Sequence, residues 1–119
     1  MSFLLSFPIP SNPQSLLFPI LSSFLNPEFA LIAEDLQNVG TVDQTPLYVR
    51  EIIKRALLIG STSIVISHNH PSGDTQPSNS DISLTRQLAE ACQSIGIELI
   101  DHIIITFSSY FSFKENRLL

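Results

Sequence analysis

The stretch from residue 62 to residue 95 constrains the fold more than any other part of the chain. Ile64, Val65 and Ile66 are apolar on successive residues, so residues 62–67 predict a short strand covered on both faces. The chain continues as Ser67-His68-Asn69-His70, after which Pro71, Gly73 and Pro77 restrict the backbone of a turn-rich loop. Ser78 followed three residues later by Asp81 is a capping-box pattern, which starts a helix near Ser80. Leu84, Leu88, Ala91, Cys92 and Ile95 then recur at helical spacing and form one buried face, with Gly96 as the stop. A strand that turns through a stiff loop into a helix is half of an α/β unit.

The polar residues of this unit carry chemistry. Side chains alternate along a strand, so His68 and His70 lie on the same side of an extended chain and can share one ion. Asp81 arrives at the helix start, where the chain has folded back, and can bring a hard anionic oxygen to the same point. Two imidazoles and one carboxylate are three ligands, the number that suits a catalytic zinc with an open fourth position better than a closed structural zinc. Each residue also has a plainer reading. His-x-His alone fits two polar groups satisfied by backbone at a strand end, and Asp81 alone fits a carboxylate stabilising a helix N-terminus by a few tenths to about 1 kcal/mol.

His68, His70, Ser78 and Asp81 stand in the order and at the spacing of the JAMM motif, His-x-His followed seven residues later by Ser-x-x-Asp, and the chain resembles the MPN+ metalloproteases that carry it. The wider wording from His68 to Asp74, with Pro77-Ser78, is similar to the RadC branch. So are the segments 40–46, 48–51, 101–105 and 112–115. This resemblance runs from about Leu31 to the C-terminus. It implies the JAB1/MPN-like, cytidine-deaminase-like α/β sandwich, one Zn2+ per chain held by His68, His70 and Asp81, and hydrolysis of peptide or isopeptide bonds in a protein substrate. It also implies that the Ser78 hydroxyl helps stabilise an oxyanion, where the residue-level reading makes Ser78 a helix N-cap worth about 1 kcal/mol. By the same resemblance, Asp101 and His102 stay outside the ligand set and support it by hydrogen bonds.

The remaining pattern completes the sandwich. Residues 29–33 and 34–39 predict two pieces of extended chain, 41–46 a turn, and 48–59 an amphipathic helix with Ile52, Ile53, Ala56, Leu57 and Ile59 on its apolar stripe and Gly60 at its end. Residues 97–106 predict a second buried strand and 110–113 a short last one. The order strand, helix, strand, helix, strand gives an α/β fold around a mixed sheet.

Residues 1–27 contain no charged side chain, and Pro8, Pro10, Pro13, Pro19 and Pro27 interrupt their apolar runs. None of these runs reaches the roughly 20 residues of a membrane helix, and no basic residues precede an apolar core as in a secretory signal. The proline spacing argues against a central strand there. The chain accordingly divides into an irregular leader over 1–27, or a segment that replaces family sequence, and a metal-binding domain over 28–119. One cysteine, Cys92, cannot form an internal disulfide and fits the cytoplasm. A formal charge of −5 with only six Lys and Arg argues against nucleic-acid binding, and so against a direct part in DNA repair.

One element of the family's chemistry is missing. The resemblance implies an upstream glutamate that takes a proton from water and passes it to the leaving amine. Counting back from Leu31, its place falls within residues 16–20, which are Leu16, Leu17, Phe18, Pro19 and Ile20. None accepts a proton. The expectation is a formed metal site with impaired or absent hydrolysis, the alternative being a non-catalytic zinc-binding remnant or interaction module of the same fold.

Overall fold

The computed structural model describes residues 18–39 and 44–119. It contains β1 (Phe18–Leu25), β2 (Leu31–Val39), α1 (Thr45–Ile59), β3 (Ser63–Asn69), α2 (Asn79–Ser94), β4 (Glu98–Ile105) and β5 (Tyr110–Ser112). The strands form one sheet in the order β2-β1-β3-β4-β5. Only the β3–β4 pair is parallel, because α2 carries the chain back between them.

The ladder register shows which residues share a face. Ile20, Ser22 and Phe24 of β1 stand opposite His68, Ile66 and Ile64 of β3, so all six point to the same side. That side is the core. Ile20, Phe24, Ile64 and Ile66 pack with Tyr48, Ile52 and Ala56 of α1 and with Leu84, Leu88 and Cys92 of α2. Both helices thus bury their apolar stripes on the sheet face that carries His68. One polar pair lies within this layer, where the Tyr48 hydroxyl meets Ser22 Oγ at 3.1 Å. The thiol of Cys92 is fully buried, and that burial pushes its pKa up to about 11.

Local chemistry ends the elements where the sequence predicts. Gly60 takes a left-handed conformation at φ 72° and closes α1 through bonds to Ala56 and Leu57 carbonyls. Ser78 caps α2, with both halves of the capping box formed.

Of the leader predicted over residues 1–27, residues 1–17 lie outside the described residues, and the part from residue 18 onward needs correction. Residues 18–25 are β1, which lies inside the sheet with β2 on one side and β3 on the other. Its proline is tolerated because Pro19 precedes the first β1–β3 pair, Ile20 with His68, and so sits at the strand's start, where a missing N–H disrupts least. Pro27 falls in the hairpin turn. There Asn26 Oδ1 accepts from the N–H groups of Glu28 and Ala30, each at 2.9 Å, and Phe29 adopts φ 61°. The two extended pieces expected over 29–39 are one strand, β2. Gly40 and residues 41–43 of the expected turn, like Leu16 and Leu17, lie outside the described residues. No helix among the described residues is long and apolar enough to cross a membrane.

Candidate metal centre

His68 is the penultimate residue of β3, and His70 follows one residue beyond the strand's end. The backbone stays tied to β4 there, since the His70 N–H donates to the Ile105 carbonyl at 3.0 Å. The loop then turns back. The Gly73 N–H donates to the His70 carbonyl at 3.1 Å, with Gly73 at φ 85°, and the Gln76 N–H donates to Asp74 Oδ1 at 2.9 Å. Asp74 therefore orders the loop. The loop delivers Asp81, in the first turn of α2, to the C-terminal ends of β3 and β4, the place where an α/β sheet offers side chains and helix N-termini to a ligand.

His68, His70 and Asp81 meet there, each offering one donor atom, all within 4.8 Å of one another. His68 Nε2 lies 3.3 Å from Asp81 Oδ1 and His70 Nε2 lies 3.2 Å from Asp81 Oδ2. Tetrahedral zinc with ligands at 2.0–2.2 Å needs donors about 3.3–3.5 Å apart, and each imidazole nitrogen stands near that distance from one oxygen of the carboxylate.

Proton positions support the same fit. His70 Nδ1 is 2.8 Å from the Asp74 carbonyl, which can only accept, so Nδ1 carries a proton and Nε2 is the nitrogen that faces Asp81. Burial would raise the Asp81 pKa, but the hydrogen bonds with His68 and His70 outweigh it. Together with the Ser78 N–H, they hold the carboxyl well below the usual carboxylate range. The His70 pKa is raised, chiefly by its bond with Asp81, with burial opposing. An ionised carboxylate between two imidazole Nε2 atoms is a place for positive charge, which a proton on His70 fills in part and a divalent cation could fill. The donor set fits zinc.

Ser78 is the N-cap. Its Oγ accepts from the Asp81 N–H at 3.0 Å, while the Ser78 N–H donates to Asp81 Oδ2 at 2.8 Å. The residue is exposed beside the ligand carboxylate. His102 lies behind His68, with its Nε2 2.9 Å from His68 Nδ1, and its ring stacks on Phe113 at 4.5 Å and 6°. Complete burial drives the His102 pKa down, so its ring is neutral. Asp101 points to the opposite sheet face, where it binds the Ser112 hydroxyl and the Lys114 N–H and fastens β5 to β4. Sequence reasoning missed Thr85, whose Oγ1 is 2.6 Å from His102 Nδ1. Its spacing of four from Asp81 on one helix face was the available signal.

Across the ladder from His68 stands Ile20, 3% exposed. Continuing that antiparallel register by two residues sets position 18, a phenylalanine, level with position 70. Glu28, Glu34 and Glu51 are all exposed and lie on the β1–β2 turn, β2 and α1. Residues 19–118 match the family model described as the RadC-like JAB domain. With the mixed sheet, its flanking helices and a His-His-Asp cluster at the β3–α2 turn, the chain belongs to the RadC-like JAB domain family.

Proposed function

We propose that this domain binds one zinc ion through His68 Nε2, His70 Nε2 and an Asp81 oxygen. We further propose that it is a hydrolase of the peptidase or isopeptidase type whose turnover is slow. The observation that carries this reading is the convergence of both Nε2 atoms on one ionised carboxylate, at 3.3 and 3.2 Å from its two oxygens. Zinc held there supplies a Lewis acid for an amide carbonyl and lowers the pKa of coordinated water to near 7.

The chain's own residues supply the remainder. Asp81 balances charge and stays fixed by the capping box. Ser78 accepts the Asp81 N–H and keeps its own hydroxyl proton to donate to an oxygen that gains charge as an amide is attacked. Proton transfer to the leaving amine lacks a carrier, because positions 18 and 20 hold Phe and Ile. A positioned general base is worth about 10²–10⁴-fold in rate, which is the shortfall expected of this chain. A peptide or protein segment is the substrate class, and the lone free thiol of Cys92 fits a reducing, cytoplasmic setting.

The same apolar positions favour a second reading, a zinc-loaded interaction module without turnover. Zinc content and hydrolysis of a peptide and an isopeptide panel, measured on the wild type and on Phe18→Glu, separate the two. One zinc per chain with hydrolysis gained in Phe18→Glu supports the slow hydrolase. One zinc with no hydrolysis in either leaves the interaction module, and a wild type that takes up no zinc sinks both.

A further inference from the structure

Behind the ligands runs a buried line of polar atoms that starts and ends on the same residue. Thr85 Oγ1 lies 2.7 Å from the Asp81 carbonyl and 2.6 Å from His102 Nδ1, and His102 Nε2 lies 2.9 Å from His68 Nδ1. His68 Nε2 then faces Asp81 Oδ1. Thr85, His102 and His68 are all about 2% exposed or less, so water does not complete these contacts.

The three gaps that link the Asp81 carbonyl, Thr85, His102 and His68 Nδ1, at 2.7, 2.6 and 2.9 Å, are too short for two lone pairs, so each needs one proton. The carbonyl can only accept, so the Thr85 hydroxyl donates to it. With its only proton used, Thr85 Oγ1 accepts from His102 Nδ1–H. A neutral His102 then has a bare Nε2, which accepts from His68 Nδ1–H. His68 Nε2, which faces Asp81 Oδ1, is then the ring nitrogen that this line leaves open to a proton or an ion. The opposite polarity would leave Thr85 Oγ1 and the Asp81 carbonyl at 2.7 Å with no proton between them.

We propose that Thr85 is a positioning residue for the metal centre: its hydroxyl, anchored on the Asp81 carbonyl, sets the tautomer of His68 through His102 and keeps Nε2 free for the ion. This rests on the metal-binding reading above for its purpose, but not for its geometry. Without the Thr85 oxygen, His102 has no acceptor for a proton on Nδ1 and places it on Nε2. That N–H then donates to His68 Nδ1 and moves the His68 proton to Nε2, where Asp81 Oδ1 holds it and the ligand position is blocked.

The test uses the full chain, treated with chelator, with ¹⁵N chemical shifts of the imidazole rings recorded on wild type, Thr85→Val and Thr85→Ser. Wild type and Thr85→Ser are expected to carry the His68 proton on Nδ1, and Thr85→Val on Nε2. Zinc titration against a chromophoric competitor is expected to show affinity about 10–100-fold weaker in Thr85→Val and restored in Thr85→Ser to within about threefold. A His68 Nδ1 that carries no proton in the wild type overturns the proposal, and does so even if Thr85→Val fails to fold. So does a folded Thr85→Val that keeps the proton on Nδ1. If the wild type binds no zinc, the metal reading fails, while the ring shifts still decide whether Thr85 sets the tautomer.

Discussion

The two strands that flank the candidate centre differ in what they bring to it. On β3, with the loop and helix that follow, polar atoms are committed to holding three donors in place: a carbonyl fixes His70, a buried imidazole backs His68, and a cap fixes Asp81. On β1, directly across the ladder, the facing residue is Ile20, buried in the hydrophobic core. The β3 side is equipped to bind an ion, and the β1 side only packs.

This contrast breaks most visibly at Asp81. Asp81→Ala removes the carboxylate both imidazoles face, so zinc affinity should fall by more than about 100-fold, beyond the 10–100-fold typical of groups that only support a ligand. Titration calorimetry reads this directly, and an unchanged affinity would mean that the ion sits elsewhere. On the opposite side, Ile20→Ala should cost about 2–4 kcal/mol in urea unfolding, as a cavity in the core that also holds Phe24 and Ile66, while zinc affinity stays within about threefold. A large loss of affinity there would show that β1 shapes the site after all.

The pH dependence sharpens the comparison further. The His70 pKa is raised in the folded, metal-free chain. Its ion pair therefore contributes stability that is complete below the unfolded value near 6.5 and is lost as pH rises through the raised folded value. Zinc must displace that proton from Nε2. Apparent zinc affinity should accordingly rise with pH up to the raised value, by at most about tenfold per unit for one proton, and then level off. Calorimetry in buffers of different ionisation enthalpy counts the protons released. The smallest expected effect lies in the core beneath β1. Tyr48→Phe strands the Ser22 hydroxyl and should cost about 1–2 kcal/mol of stability, with no change in zinc binding.

The strand, loop and helix that carry the ligands were legible because several local signals agree: a β-branched run, prolines in the turn, a capping box and an apolar stripe. Residues 63–69 and 79–94 fall within two residues of the expected bounds. The strand β1 was not legible, because its prolines were read as interruptions when Pro19 and Pro27 in fact bracket it. The proline-free run Ile20-Leu21-Ser22-Ser23-Phe24-Leu25, followed by an Asn-Pro turn, is a strand signal that the uncharged composition around it obscured. Thr85 was illegible for a different reason. Its partner His102 is 17 residues away and reaches it only because β4 lies beside β3, a contact that no local pattern encodes.

The carboxylate of Asp81 also closes the first turn of α2. Its rotamer is thus selected during folding, before any ion arrives, and the encounter with a cation immobilises little that was still moving. Capture should be fast, limited by how quickly the ion sheds its own hydration. A cation that departs should leave behind a helix start that holds its shape and is ready for the next one.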